Sequence, residues 1–355
     1  MKIGILSMQH VINYGSFLQA YALKMIIESL GHDVCFVAIK PGRQIIEQKH
    51  PSSRKLTVDK YIFKRIDHIV FQKRRNSLFE EKLFPSIAID KPELEESCDM
   101  VIIGSDEVFN CCQSSRWGFS TQLFGDIEVA SLTYAASCGF TSYEKVLEMG
   151  ITEELINSLH KLKDISVRDN NTRDFVQKLI RKQPKQHLDP VLVYDWDKEV
   201  TSQMKYRDYI LVYAYDNRIN NEEEIKAIKD FAQKEHKQLI SFGVYQRWCD
   251  KNVLCTPFEL LAYFDGADYV ITDTFHGTVI SIKRNKQFAT LIRNSNKNKL
   301  TDLLSRFDLM DREVTRISTL CDTIKQRIDY NEVNARLQAE QFRTIEYLQS
   351  NLCEK

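Results

Sequence analysis

The chain has 355 residues, 43% of them apolar and 28% charged, which is enough for two soluble domains of ordinary size. Lys and Arg number 49, Asp and Glu also number 49, and the formal net charge is zero, so no global electrostatic footprint for nucleic acid exists. With only 12 Gly and 7 Pro, long flexible linkers are not expected.

The nine cysteines are scattered, odd in number and without paired spacing, which predicts free thiols in a reducing compartment. Neighbouring Cys111 and Cys112 read as structural. No C-x-x-C or H-E-x-x-H pattern occurs, so no metal site is expected. The apolar run in Met1–His10 is too short for a signal-peptide core, and no run is long enough to span a bilayer. The expectation is a cytoplasmic protein.

In chain order, Lys2–Ser7 predicts a first buried strand. A polar loop with Asn13, Tyr14 and Gly15 follows. Ser16 is read as the N-cap of a helix with Leu18, Ala22, Met25 and Ile26 on its apolar face, closed by Gly31. Val34–Ile39 is the next strand. This strand–loop–helix–strand opening is Rossmann-like, but the loop is not G-x-G-x-x-G, so a dinucleotide is not indicated. In Pro51–Leu83, Ile62, Phe63, Ile66, Ile69 and Val70 recur at helical spacing among Lys60, Lys64, Arg65, Lys73, Arg74 and Arg75. The plain reading is a solvated basic face on a packing helix; the sharper one is peripheral contact of Lys60–Arg75 with an anionic membrane.

Met100–Ile103, Leu132–Ala136 and Ile165–Val167 predict three more strands, ending at Gly104-Ser105-Asp106, Ser137-Cys138-Gly139 and Arg168-Asp169. A helix is expected from about Thr172 to Lys182. The texture turns polar after Tyr194, and the expected division is into domains 1–198 and 199–355. The second half repeats the rhythm: strand Tyr209–Tyr215, helix Glu222–His236, strand Gln238–Val244, and a helix opened by Thr256-Pro257. Then come strand Tyr269–Thr272, a polar turn, an apolar run from His276-Gly277, and strand Phe288–Ile292. Val333, Leu337, Ile345, Leu348 and Leu352 predict a long final amphipathic helix. Alternation in both halves predicts two α/β domains with parallel sheets.

Ligands of open parallel sheets bind beyond the carboxyl ends of strands. Asn13 and Gly15, Ser105 and Asp106, Arg168 and Asp169, and Asp273 and His276 all occupy such places. The turn before Gly277 would also offer free helix N-terminal amides to an anion. Singly, each has an ordinary alternative: Asp106 and Asp273 as helix caps, Arg168 as an ion pair, His276 as a buried core histidine.

The stretches NYGSFLQAYAL (Asn13–Leu23), VIIGSDEVFN (Val101–Asn110), YAASCG (Tyr134–Gly139), ISVRD (Ile165–Asp169), LDPVLV (Leu188–Val193) and ADYVITDTFHGTVISI (Ala267–Ile282) resemble the polysaccharide pyruvyl transferase family. The resemblance implies two facing Rossmann-like domains of GT-B-like architecture with an interdomain cleft. It implies phosphoenolpyruvate as donor, a sugar or lipid-linked oligosaccharide with neighbouring hydroxyls as acceptor, and a pyruvate ketal as product. The family's donor-binding arginine corresponds to Arg168 and its histidine to His276. Gly277 and Thr278 belong to the same donor turn, and Arg293, Lys297 and Lys299 compete for a further basic role. Asn13, Tyr14, Gly15, Ser105 and Asp106 are expected on the acceptor side. His276 is the candidate acid, Asp106 or Asp273 the candidate base, and no metal or cofactor is required. Thr274 stands where many relatives have serine, and Cys138 where an aromatic or small residue is common; neither change removes a charge. The competing readings are a nucleotide-sugar glycosyltransferase and a non-catalytic sugar-phosphate binding protein.

Overall fold

A computed structural model describes residues 1–46, 62–112, 117–200 and 205–353, the side chains of residues 62–65 excepted. The chain divides into two compact units. The first comprises Met1–Lys60, Phe84–Tyr194 and Glu340–Lys355; the second comprises Tyr61–Leu83 and Asp195–Ala339. Two segments therefore depart from a simple division at residue 198, each for a packing reason. The Ile62–Leu78 helix sets His68 and Phe71 against Tyr245 of the second unit, with ring centroids 5.0 and 5.7 Å apart. The end of the last helix returns to the first unit, where Tyr347 Oη donates to Thr133 O at 2.9 Å and Gln341 Nε2 to Leu192 O at 2.6 Å.

The first unit carries six parallel strands: β1 (Lys2–Leu6), β2 (Asp33–Phe36), β3 (Met100–Asp106), β4 (Ser131–Ala136), β5 (Ser166–Val167) and β6 (Lys185–Gln186). Their spatial order is β2-β1-β3-β4-β5-β6. Residues of β3 and β4 are buried on both faces, which is why these strands read as continuous apolar runs rather than alternations. The first helix, Tyr14–Ser29, starts earlier than Ser16 because Asn13 is the cap. Its Oδ1 accepts from Gly15 N at 2.8 Å and Ser16 N at 3.3 Å, leaving the Ser16 hydroxyl for another partner. The Asn170–Ile180 helix likewise starts before Thr172, since Asp169 Oδ1 accepts from Thr172 N at 2.9 Å.

The second unit repeats the plan with β7 (Tyr209–Tyr213), β8 (Gln238–Phe242), β9 (Lys251–Val253), β10 (Tyr269–Thr272), β11 (Phe288–Leu291) and β12 (Glu313–Val314), in the order β12-β11-β10-β7-β8-β9, all parallel. The two sheets make this an α/β chain of two Rossmann-like units. The Glu222–Lys234 helix has Asn221 as cap and three glutamates in its first turn, which suits the positive helix end. Both β6 and β12 have only two residues and were not visible in the sequence pattern. The final helix, Tyr330–Leu352, buries Val333, Leu337, Leu348 and Leu352 as its spacing requires. All nine cysteines are free. Among the described residues, no helix is long and apolar enough to cross a membrane.

The Pro257–Gly266 helix is fixed by a reciprocal cap. Thr256 Oγ1 accepts from Glu259 N at 3.1 Å while Glu259 Oε2 accepts from Thr256 N at 2.7 Å, with proline at the first helical position. Thr256→Ala is expected to lower stability by about 1 kcal/mol, seen as a lower urea midpoint. An unchanged midpoint would mean that Pro257 alone holds the turn.

Candidate functional site

In a parallel sheet the loops on either side of a reversal in strand order run in opposite directions, and a crevice opens at the carboxyl ends there. The first unit reverses between β1 and β3, the second between β7 and β10.

The first crevice collects most residues predicted for the acceptor. Ser7, just past β1, donates from Oγ to Ser105 O at 2.9 Å and accepts from Gln19 Nε2 at 2.9 Å. Beside it, β3 bends through Gly104 at φ +124°, where a Cβ would stand 2.2 Å from Tyr134 O, so only glycine fits. Asp106 itself has φ +77° and accepts from Ser16 Oγ at 2.7 Å and from Glu107 N at 2.9 Å. It joins β3 to the first helix and caps nothing. Asn13 is committed to capping, Tyr14 is buried, and Ser105 is fully buried with Oγ donating to Ala135 O at 3.1 Å.

Arg168 leaves β5 almost fully buried, its Nη1 donating to Asp189 Oδ2 at 2.8 Å. Burial opposes its charge, but Asp189 first, then Asp106, Asp169 and Glu107, hold its pKa above the ordinary value. Asp189 also accepts from Val191 N at 3.1 Å, capping the Pro190–Val193 turn. Arg168 thus binds the ends of β5, β3 and the LDPV stretch into one charged group.

The second crevice is built on the turn from β10 into the Phe275–Lys283 helix. Thr272 Oγ1 donates to Tyr213 O at 2.6 Å, fastening β10 to the end of β7. Thr274 caps the helix by accepting from Gly277 N at 2.9 Å. A Cβ on Gly277 would come within 2.1 Å of Thr272 Oγ1 and 2.7 Å of Thr274 Oγ1, so glycine lets this turn close. Thr278 Oγ1 bonds Thr274 O and lies 3.1 Å from Thr290 Oγ1, which places its hydroxyl against β11. His276 sits in the first turn, nearly buried and edge-on to Phe275 at 5.4 Å.

Asp273 is fully buried and is not the helix cap. Its Oδ1 accepts from Tyr215 N at 3.2 Å, and Oδ2 lies 3.6 Å from Arg218 Nε. Burial pushes its pKa up to about 6; Arg218, the Tyr215 amide and Arg293 only partly offset this. Arg293 makes a two-pronged pair with Glu224, Nη2 to Oε2 being 2.8 Å, and its amide donates to Asn296 Oδ1 at 2.8 Å. Asn296 Nδ2 in turn donates to Asp273 O at 2.6 Å. Of the three competing basic residues, Arg293 therefore joins the Asp273 turn. Lys299 Nζ lies 5.9 Å from the Phe275 ring, and Lys297 is exposed at the start of the Lys297–Arg306 helix.

Arg218, Tyr215, Glu224 and Asn296 were not singled out from the sequence. Arg218 stacks over Tyr215, its guanidinium carbon 4.5 Å from the ring centroid. The signal was available: it follows β7 as Asp273 follows β10. Among the described residues no group of His, Cys, Asp and Glu is arranged to hold a metal ion.

A family model of polysaccharide pyruvyl transferase matches residues 13–296. The chain belongs to that family. The matched span opens on the Asn13 cap and closes on Asn296, so in this pyruvyl transferase family member it takes in the second crevice and the first apart from β1 and Ser7. No curated protein is significantly similar to the chain. Among solved structures, a protein described as a UDP-N-acetylglucosamine 2-epimerase from Listeria monocytogenes is 11% identical, with TM-score 0.52, over 98% of this chain and 95% of its own. The S. aureus MnaA–UDP co-structure is 12% identical, with TM-score 0.49, over 99% and 96%. The Listeria likeness supports the fold alone.

A folded-state pKa raised to about 6 makes the neutral form of Asp273 the stabilising one. Its contribution is complete below the ordinary carboxylate value and is lost as pH rises through about 6. Asp273→Asn cannot ionise, so the stability difference between variant and wild type should shift in the variant's favour between about pH 4 and 6, by on the order of 3 kcal/mol. Paired urea titrations across that range check it; a difference that does not vary with pH would place the Asp273 pKa in the ordinary range.

Proposed function

We propose that the protein transfers pyruvate from phosphoenolpyruvate to two neighbouring hydroxyls of a sugar, forming a ketal on a surface polysaccharide or its lipid-linked precursor. The observation that carries this reading is the β7–β10 crevice. There the start of the Phe275–Lys283 helix, with His276 in its first turn, follows directly on Asp273, whose carboxyl is acted on by Arg218 and Arg293. Helix amides and guanidinium groups are the donors that suit a small, highly charged phosphate ester.

The reaction requires three proton movements. A proton is added to the methylene carbon of the donor, leaving the central carbon open to attack. One sugar hydroxyl bonds that carbon and gives up its proton. The carbon–oxygen bond to phosphate breaks, phosphate departs, and the second hydroxyl closes the ring with loss of its own proton. His276 is assigned to protonate the methylene or the departing phosphate. Asp106 is assigned to accept a hydroxyl proton; its bond from Ser16 shows that it already receives a hydroxyl hydrogen. Asp273, its pKa pushed up to about 6, is the alternative base on the second unit. Arg168 is assigned to the donor carboxylate on the family resemblance, and Asp189 is the partner it would share.

Arg218 and Arg293 face Asp273 and Glu224, so the second crevice is near neutral when Asp273 is ionised. Arg218 is the less committed of the two cations: its distance to Asp273 is 3.6 Å, against the two-pronged grip of Glu224 on Arg293. It is therefore assigned to the donor phosphate.

Two variants separate binding from chemistry. Arg218→Ala should weaken phosphoenolpyruvate binding by about 2–5 kcal/mol, the cost of losing a desolvated charge-assisted contact. Unchanged affinity by calorimetry would remove Arg218 from the donor site. His276→Asn keeps a hydrogen-bonding side chain but carries no proton. It should retain most donor affinity while phosphate release with a vicinal-diol acceptor falls by about 10²–10⁴. Turnover near wild type would take His276 out of the chemistry.

A further inference from the structure

The Ile62–Leu78 helix is seated on the second unit by one face only. That face is well held. Phe71 is buried against Tyr245, His68 stacks on the same ring, Gln72 Nε2 donates to Asp216 Oδ2 at 2.9 Å, and Arg75 lies 3.9 Å from the same carboxylate. The outward face is apolar where a solvated helix would be polar. Ile66, Ile69 and Val70 are 51%, 50% and 41% exposed. Lys73 and Arg74 follow, also exposed. The five positions run i, i+3, i+4, i+7, i+8, the spacing of a single helical stripe. The other large apolar side chains exposed among the described residues, such as Leu94, Leu147 and Phe342, are scattered along the chain. Lys60 lies outside the described residues, as do the side chains of Lys64 and Arg65, but their charges precede this stripe in sequence.

We propose that this outward face docks the protein on an anionic lipid surface. Ile66, Ile69 and Val70 would enter the boundary between headgroups and acyl chains, and Lys73 and Arg74 would meet the phosphates. Charge complementarity decides the occupant. A second copy pairing through the same face would need carboxylates opposite Lys73 and Arg74; within the Ile62–Leu78 helix this face has only Asp67 at its edge, and the exposed Glu80 and Glu81 lie beyond that helix in the Phe79–Leu83 turn. The inference is independent of the donor chemistry, since no residue of either crevice takes part.

The test is co-sedimentation of the full chain with phosphatidylcholine vesicles, with and without phosphatidylglycerol. Binding is expected only with phosphatidylglycerol. It should collapse as salt shortens the Debye length from about 10 Å at 0.1 M to about 3 Å at 1 M. Replacing Lys73 and Arg74 together by glutamine should lower partitioning by about 25-fold, roughly fivefold for each cation. Ile69→Asp with Val70→Asp should abolish it, with the circular dichroism spectrum unchanged because both sites are exposed. Equal binding to neutral vesicles, salt-independent binding or no binding would each overturn the proposal. So would a concentration-dependent mass in sedimentation equilibrium that Ile69→Asp reduces to a monomer, which would give the face to a second copy.

Discussion

The turn Thr272–Asp273–Thr274 closes only because nothing projects from Gly277. One hydroxyl fastens β10 to β7, a second caps the following helix, and both occupy the volume that any side chain at 277 would need. The constraint is steric and local, yet its reach is wide. It fixes the direction of the Phe275–Lys283 helix, and with it the amides and the His276 ring. It also holds Asp273 where water does not reach, so that the loop after β7 and the segment after β11 must bring polar partners to it.

Those partners show how a buried carboxylate is tolerated. Asp273 has one amide donor and one guanidinium at a longer distance, which is incomplete compensation, and the result is a carboxyl that resists ionisation. Arg168 in the first unit is the opposite case. Its single charge is surrounded by Asp189, Asp106, Asp169 and Glu107, and their combined attraction outweighs the cost of burial. One unit thus keeps a group near the point of proton exchange while the other keeps one permanently charged. The carboxyl titrates there because its neighbours are few and distant, whereas the guanidinium is charged by its own chemistry and its close carboxylates offset the cost of burying it.

How much of this was legible in the sequence depended on the range of the interaction. The cores of β1, β3, β4, β7, β8 and β10 are apolar runs between polar turns, and they were readable as such. The Thr256-Pro257 start was readable because a cap and its proline are adjacent. Asn13 was assigned to the loop because Ser16 also satisfies the cap preference; three residues cannot be separated without the hydrogen bonds that Asn13 makes. Strands of two or three partly exposed residues carry neither a period nor an apolar run, which hid β6, β9 and β12, whereas β5, equally short but buried, was readable. Arg218 went unnoticed because β7 was read through to Tyr215, which placed attention on the strand and away from its loop. The carboxylates around Arg168 and the Tyr245 seat of the Ile62–Leu78 helix are far apart in sequence, and no local pattern encodes them.

The return of the last helix to the first unit has a bearing on how the chain matures during synthesis. Chains fold as they leave the ribosome, and the earlier domain usually finishes first. Here the sheet begun by Lys2–Leu6 is covered by residues made at the other end. Tyr347 stacks on His187 at 4.4 Å, and Lys163 Nζ donates to Asn351 O at 2.7 Å. The unit that is started first therefore stays open until translation has passed Glu340, with its β4–β6 edge lacking its last cover while Asp195–Ala339 of the second unit is being made.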